Sequence, residues 1–254
     1  MPLELLEKYF TTRNLRRRLG SRAERDFLEL LAINVSDFED EFQGDTLWGG
    51  YQSTAAGANS AAAAISTGVV NGAILLDAGD ANAGRCDLSW GLHYQAQLNA
   101  IYIARFSMSS LTTRKFEIGF TDVISGTDAG AVNVKATPTW TADNAVVLCF
   151  DTNDDTNLTL MGVKATTAAT VADFSTTLSA ATYYYFGVAL FGDDNARGFL
   201  LDANGYLLEE EVIEDAVTST TLLTPWLFVQ NRAGTAGSMT VDWHKAYQRR
   251  TTTA

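Results

Sequence analysis

Histidine, proline and cysteine are scarce in this sequence of 254 residues, which contains two, three and two of them. Cys86 and Cys149 lie in segments with a strand-like pattern, and neither has a paired cysteine or histidine close by in sequence. This favours two small buried thiols in a reducing compartment over a disulfide. Isolated cysteines also argue against zinc, which needs about four clustered ligands, and we expect no metal or other cofactor.

The scarcity of histidine narrows the search for a nucleophilic active site, in which a histidine base activates a serine or cysteine. The two histidines are His93 and His244, and neither has such a partner at a suggestive local spacing. We expect each to be a surface or strand-face residue. A triad assembled only in space stays open at this point.

The sequence also lacks an apolar run long enough to cross a bilayer, so we expect no membrane partner. Glu4, Glu7 and Lys8 interrupt the first apolar residues, unlike the core of a secretory signal. We therefore expect the chain to be made and folded in a cytoplasm. Hydrophobic residues make up 46% of the chain, which allows a large core.

Basic side chains are few and unevenly placed in a chain with a net charge of −12. Residues 1–25 contain seven basic and three acidic side chains, so they carry +4 and the remaining 229 residues carry −16. The acidic body should not bind nucleic acid. The basic segment can dock on an acidic surface, or it can be an ordinary solvated helix with arginine on its outer face.

The first 35 residues predict a helical arm. An apolar stripe at helical spacing follows Pro2, and a second amphipathic segment runs from Ser21 to Ala32. Ser21 and Glu24 fit a capping box, and Gly20 separates the two segments. The stripe has to be buried on its own body, on sister copies or on another protein, and we favour an intermolecular role.

The remaining chain, residues 36–254, predicts roughly a dozen strands in one sandwich. Alternating apolar residues mark Asn99 to Ser109, Lys115 to Asp122 and the closing segment after Ser238. In that closing segment, strict alternation places Met239, Val241, Trp243 and Lys245 on one face and Thr240, Asp242, His244 and Ala246 on the other. Val70 to Leu92 reads as two strands joined by a turn, and Asn204-Gly205 and the sequence TNDDTN predict hairpin turns.

Oxygen-bearing side chains alternate from Asp151 through the TNDDTN segment that follows it, at Asp151, Asn153, Asp155 and Asn157, as they do in a calcium loop. However, Thr156 and Gly162 stand where the turn glycine and the bidentate glutamate belong. We therefore favour a hairpin turn rich in Asp and Asn over a calcium site.

Exposed aromatic residues offer a second route to function, because sugars stack on them. Most of the five tryptophans should be core residues, and we assign Phe38, Phe42, Leu47 and Trp48 to the core. Trp140, in TPTWTADN, is the tryptophan that we expect to be exposed and to bind a glycan if the chain has such a site.

Several segments together resemble the concanavalin A-like jelly-roll domains of tailed-phage virion proteins. They are FEDEFQGDTLW, AILLDAG, RCDLSWG and MTVDWHKAYQRR. The resemblance implies an all-β, antiparallel jelly-roll β-sandwich, here with a short N-terminal α-helical arm. The fold is shared with lectins and with laminarinase-like glycosidases, in which two glutamates lie on one strand in an E-x-D-x-x-E pattern. The nearest carboxylate cluster here, Glu209 to Glu214, does not reproduce that pattern.

The leading hypothesis is a non-enzymatic capsid decoration, cement or fibre-type subunit of a phage virion, made in the host cytoplasm. Its arm would dock on major capsid or other virion subunits, and a homo-oligomer such as a trimer would bury the helical stripes. The docking residues that we expect are Leu5, Leu6, Phe10, Arg16, Arg17 and Arg18. The alternative is a carbohydrate-binding module for host-surface glycans, and a glycoside hydrolase is disfavoured.

Overall fold

The structure is a computed structural model that describes residues 35–57, 61–66, 69, 72–124 and 130–250. Asp37–Gln248 form one compact unit. Residues 1–34, and with them most of the expected helical arm and its docking residues, lie outside the described residues, so the arm stays a prediction.

Eighteen strands and one short 3-10 helix (Ala96–Leu98) make up the regular structure of the described residues. In chain order the strands are β1 (Val35–Asp40), β2 (Ala55–Ala56), β3 (Ala62–Ile65), β4 (Ile74–Asp77), β5 (Arg85–Leu88), β6 (Ile101–Met108), β7 (Arg114–Thr121), β8 (Val132–Val134), β9 (Thr139–Trp140), β10 (Ala145–Asp151), β11 (Leu158–Lys164), β12 (Thr167–Ala168), β13 (Ala172–Phe174), β14 (Tyr184–Leu190), β15 (Ala196–Leu201), β16 (Leu207–Ile213), β17 (Thr224–Asn231) and β18 (Ser238–Arg249).

These strands form two large antiparallel sheets and one small one. The first sheet has the order β16-β15-β14-β6-β18-β4-β3, and β1 also pairs with β18. The second sheet has the order β12-β11-β10-β7-β17-β5-β2, and β13 also pairs with β11. β8 and β9 pair only with each other in the described part of the chain. The predicted all-β antiparallel sandwich is confirmed.

The main core lies between the inner faces of the two large sheets. Alternate residues of each strand contribute to it, such as Phe106 from β6 and Phe116 from β7, whose rings lie 5.6 Å apart. A second cluster lies on the outer face of the second sheet, where Val147, Trp226 and Phe228 are fully buried. Val132 and Trp140 of the β8–β9 hairpin belong to this second cluster, so the hairpin covers that face.

Both predicted hairpins are present, because β10 pairs with β11 and β15 pairs with β16 around Gly205, whose φ is 85°. The two strands predicted within Val70 to Leu92 belong to different sheets, β4 to the first and β5 to the second. The residues between them cross from one sheet to the other. A local sequence pattern therefore identifies strands but not the strands with which they pair.

The closing strand β18 lies inside the first sheet, between β6 and β4. Its strict alternation is wrong beyond Val241, because a register shift between Val241 and Trp243 inserts one residue, Asp242. His244 is consequently buried on the same side as Val241, and Trp243 is only half-buried. The β-bulge therefore decides which of the two rings enters the core.

No helix in the described residues is both long and apolar enough to cross a membrane.

Candidate functional site

Aromatic rings from four parts of the chain gather around His244, within 4.7–6.0 Å between ring centroids. Strand β1, the loop after it, the segment after β5 and strand β6 contribute them. We call these rings, together with Trp48, which lies against them, the aromatic cluster. Its members are Phe38, Phe42, Trp48, Tyr51, Trp90, Tyr102 and His244.

A tight turn at the end of β1 brings the following loop onto this cluster. The Asp40 carboxylate accepts a hydrogen bond from the backbone N–H of Phe42 at 2.6 Å. Phe42 then adopts a left-handed conformation with φ of 52°. A Cβ at Gly72 would lie 2.3 Å from the Phe42 carbonyl oxygen, so the turn requires glycine at that neighbouring position.

Hydrogen bonds connect the polar atoms of the cluster in one direction. The Tyr51 hydroxyl donates to Asp40 Oδ2 at 2.8 Å and lies 2.7 Å from His244 Nε2. Because that hydroxyl proton is directed to the carboxylate, its oxygen accepts the Nε2 proton of His244. His244 Nδ1 is then the acceptor for the Tyr102 hydroxyl, 3.3 Å away. This series of hydrogen bonds, from Tyr102 through His244 and Tyr51 to Asp40, fixes the tautomer of His244 with the proton on Nε2.

Burial controls the ionisation of this chain of groups. Desolvation lowers the pKa of His244 to about 3, so the ring is neutral at physiological pH. Desolvation, followed by the hydrogen bond to Asp40, raises the pKa of Tyr51 well above its usual value. Burial likewise raises the pKa of Tyr102. Both ring nitrogens of His244 face tyrosine hydroxyls, so this histidine is not arranged to activate a serine or cysteine.

Trp48 is the solvent-facing member of the aromatic cluster, with 52% of its surface exposed. Its ring lies 5.0 Å from the Phe38 ring and 5.5 Å from the Tyr51 ring. It also folds back over Gly50, where a Cβ would lie 2.1 Å from the end of the indole. A large aromatic ring is therefore held in place by its neighbours while much of its surface stays open to solvent.

The exposure of two tryptophans differs from the prediction. Trp48, expected in the core, is half exposed, whereas Trp140 packs against the second core cluster. The indole Nε1 of Trp140 is buried without a hydrogen-bond partner. The expectation that Trp140 is the most exposed tryptophan is wrong, because exposure depends on which loop covers which face of a sheet. Sequence reasoning also missed the roles of Asp40, which lies within FEDEFQGDTLW, and of Tyr51, which follows that segment.

A second polar centre lies on the outer face of the second sheet and is closed to solvent. The Glu117 carboxylate accepts hydrogen bonds from the backbone N–H groups of Ala131 and Val132 at 2.7 and 3.0 Å. It also accepts the indole N–H of Trp226 and pairs with Lys115 at 2.9 Å, with both charged side chains fully buried. This carboxylate holds the covering segment in place and has no open side for a substrate.

β7 and the residue directly after it contain part of the carboxylate spacing used by laminarinase-like enzymes, which sequence reasoning did not detect. Glu117 and Asp122 occupy the outer positions of that spacing, and Gly119 stands at the central one. A Cβ at Gly119 would lie 2.2 Å from the Val146 carbonyl oxygen. Glycine is therefore required at this position, and an aspartate side chain does not fit there. The Asp122 carboxylate accepts hydrogen bonds from the backbone N–H groups of residues 143 and 144.

The TNDDTN turn is built from hydrogen bonds and ion pairs. Asp151 binds the Arg232 guanidinium through both carboxylate oxygens and accepts the backbone N–H of Asn153 at 3.1 Å. Asp155 pairs with Lys135 and accepts the backbone N–H of Asn157 at 2.8 Å. Cationic side chains thus occupy the carboxylates that a calcium ion would need. Within the described residues, no group of three or more potential ligands is arranged to hold a metal.

Both cysteines are buried free thiols, as predicted, and burial raises the pKa of each to about 12. His93 is exposed and His244 lies on the inner face of its strand, so both agree with the prediction of a surface or strand-face residue.

Comparison with solved structures places this arrangement in a known fold. A protein of unknown function from Shewanella oneidensis MR-1 superposes with a TM-score of 0.63 at 15% identity, over 93% of this chain and 97% of that one. Peanut lectin superposes with a TM-score of 0.54 at 8% identity, over 84% of this chain and 97% of the lectin. The fold is concanavalin A-like.

Proteins of different kinds match this chain in structure. The CBM2 module of the evolved Dit protein of Lactobacillus casei BL23 phage J-1 has a TM-score of 0.50 at 10% identity, over 85% of this chain and 97% of the module. A family GH16 endo-beta-1,3(4)-glucanase has a TM-score of 0.53 at 12% identity, over 85% of this chain and 92% of the enzyme. No protein-family model and no curated protein matches the sequence.

Proposed function

We propose that this chain is a non-enzymatic carbohydrate-binding module in which Trp48 is the side chain that stacks on a sugar ring. The observation that carries the proposal is the half-exposed indole of Trp48, held by Phe38, Tyr51 and Gly50. Sugar rings present apolar C–H faces that pack on aromatic rings, and a preorganised ring loses little entropy on binding. Lectins with the same fold support this choice.

The loop that carries Trp48 also supplies polar groups for sugar hydroxyls. Gln43 and Asp45 are exposed in this loop, and the Gln43 amide donates to the Glu41 carboxylate at 2.9 Å. An amide offers both a donor and an acceptor, and a carboxylate accepts from paired hydroxyls. Because residues 26–254 carry a net charge of −16, we propose a neutral sugar over an acidic one.

The burial of the Glu117 carboxylate away from solvent supports binding without hydrolysis. A retaining glycosidase needs two carboxyl groups about 5–5.5 Å apart beside the substrate. Glu117 is fully buried under residues 131 and 132, and glycine occupies the central position of the spacing on β7. These observations favour a binding module over an enzyme of the GH16 type.

The test is a glycan array followed by titration calorimetry on the full chain. Trp48→Ala should weaken binding of any glycan found by at least about tenfold. Tyr206→Ala is the matched control, because Tyr206 is an exposed aromatic residue, at 72%, on the β15–β16 hairpin away from the cluster. Unchanged affinity in Trp48→Ala, or release of reducing sugar from the bound glycan, would refute the proposal.

A second proposal concerns where such a module works: we propose that it is a component of a tailed-phage virion. The match to a CBM2 module of a phage Dit protein supports this setting, as does the predicted basic arm at residues 1–35. The test is co-sedimentation of the full chain with particles that lack this protein. Replacement of Leu5, Leu6 and Phe10 by serine should abolish pelleting, and failure of the unmodified chain to pellet would rule out this role.

A further inference from the structure

The Asn204-Gly205 pair lies in the turn that joins β15 to β16. The Gly205 backbone N–H donates to the Asp202 carbonyl oxygen at 3.0 Å, and the Asp202 N–H donates to the Tyr206 carbonyl oxygen at 2.9 Å. Gly205 lies in the left-handed region, with a φ of 85°. This hydrogen-bond pattern is that of a hairpin loop that ends in a glycine bulge.

An asparagine followed by glycine is open to an internal reaction of the main chain. Glycine has no Cβ, so its backbone nitrogen can approach the side chain of the residue before it. Asn204 is exposed, so water reaches its side-chain amide. We propose that Asn204 is a modification site that converts spontaneously to aspartate and isoaspartate, with Asp202 as the positioning residue that controls the rate. This proposal is independent of sugar binding at Trp48.

The reaction requires water as its only co-reactant. The Gly205 backbone nitrogen attacks the side-chain carbonyl carbon of Asn204, so that a C–N bond forms to Gly205 and the bond to the amide nitrogen breaks. The amide nitrogen leaves as ammonia with the proton of the Gly205 N–H, and a cyclic imide remains. Water then opens the imide. Opening at the side-chain carbonyl gives aspartate, and opening at the backbone carbonyl gives isoaspartate.

Asp202 holds the turn in a geometry that slows this attack. Its Oδ1 accepts the backbone N–H groups of Asn204 and Tyr206, both at 2.9 Å. Its carbonyl oxygen accepts the N–H of Gly205, the group that has to lose its proton before the nitrogen can attack. The conversion therefore proceeds from molecules in which the turn has opened locally, and Asp202 keeps their fraction small.

The products alter the hairpin in two ways. Either product places a second carboxylate two residues from Asp202, and isoaspartate also lengthens the main chain by one carbon atom. β16 begins directly after the turn, at Leu207, and Glu209 on this strand accepts the backbone N–H groups of Ser175 and Thr176. We expect hydrogen exchange at these two amides to be faster in modified molecules.

The test is peptide mapping by mass spectrometry of the full chain during incubation in mildly alkaline buffer, with the pentapeptide of residues 202–206 as the unfolded reference. Chromatography separates aspartate from isoaspartate. We expect both products at residue 204 of the folded chain, formed at least about tenfold more slowly than in the peptide.

Asp202→Ala should accelerate the conversion in the folded chain by at least about threefold, because the turn loses the hydrogen bonds to the backbone of Asn204 and Tyr206. The same change in the peptide should have no such effect. Asp202→Asn should restore the slow rate, since its amide oxygen accepts a hydrogen bond at the same position.

Glu214→Ala is the matched control, because Glu214 is an exposed acidic residue just beyond the end of β16. It makes the same change in net charge as Asp202→Ala and should leave the rate unchanged. Thermal melts check that every variant is folded during incubation. An intact Asn204 in the folded chain after the peptide has converted, an unchanged rate in Asp202→Ala, or an equal acceleration by Glu214→Ala would each overturn the proposal.

Discussion

The indole N–H of Trp226 donates a hydrogen bond of 2.9 Å to the carboxylate of Glu117, between two neighbouring strands of the second sheet. The same carboxylate binds the backbone of Ala131 and Val132 and the ammonium group of Lys115. A buried charge of this kind is stable only while all its partners are present, and loss of one partner leaves the others unsatisfied.

Glu117→Gln should therefore lower the free energy of unfolding by about 3 kcal/mol. The amide removes the negative charge that Lys115 needs and offers one acceptor oxygen in place of two. Urea denaturation measures the loss. Glu210→Gln, which breaks a partly exposed pair with Arg197, is the control and should cost no more than about 1 kcal/mol. Equal losses of unfolding free energy in the two variants would show that Glu117 stabilises the fold no more than a partly exposed ion pair does.

Acid should destabilise the protein through His244, whose pKa burial lowers to about 3 in the folded state, against 6.5 as its ordinary value. Between these two values the unfolded chain binds a proton that the folded chain excludes. The contribution of His244 to the free energy of unfolding has its full value above pH 6.5. It falls by about 1.4 kcal/mol per pH unit as the pH decreases from 6.5 toward 3. Chemical denaturation at several pH values measures the slope.

His244→Asn should flatten that slope, because the variant has no imidazole to protonate at this buried position. Since His244→Asn also removes hydrogen bonds to two tyrosines, the slope, rather than the stability at one pH, is the quantity to compare. An identical pH dependence in the His244 variant would contradict the assignment.

Gly50→Ala should move the Trp48 ring, because a Cβ at residue 50 would lie 2.1 Å from the indole. The ring is the movable partner, so we expect a change in tryptophan fluorescence and a loss of glycan affinity with little loss of stability. Gly49→Ala is the matched control, since no atom outside its two chain neighbours lies within 4 Å of the added Cβ. A Gly50 variant with unchanged spectrum and affinity would show that Trp48 is not held by this contact.

Calcium should not stabilise the TNDDTN turn, because Arg232 and Lys135 already neutralise Asp151 and Asp155. Thermal melts with millimolar calcium chloride and with EDTA should give the same midpoint. Asp151→Asn should lower the midpoint in both, since it leaves the Arg232 guanidinium without its charge partner. A calcium-dependent rise in the midpoint would indicate a metal site instead.

Some features of this fold follow from the sequence and others do not. Alternation and the Asn204-Gly205 pair predict strands and a hairpin because these depend on nearby residues. The extra residue at Asp242 has no characteristic residue type, so the reversal of faces at Trp243 and His244 was not predictable.

The candidate site was less predictable than the fold. Whether Trp48 or Trp140 is exposed depends on loops that return from other parts of the chain, and so does the covering of Glu117 by residues 131 and 132. The Asp40, Tyr51 and His244 contact joins residues up to 204 positions apart. Single-sequence patterns contain no information on such pairs.

The directed hydrogen bonds from Tyr102 to Asp40 also provide a natural spectroscopic probe. His244 has no contact with solvent, yet its Nε2 proton points toward a hydroxyl that is oriented by Asp40, a half-buried carboxylate on the strand that carries Phe38. Any ligand that forms a hydrogen bond with the Asp40 carboxylate must alter the NMR shielding of the His244 ring nitrogens inside the protein. The ¹⁵N resonances of one interior ring therefore read out, without a label on the ligand, whether the surface beside Trp48 is occupied.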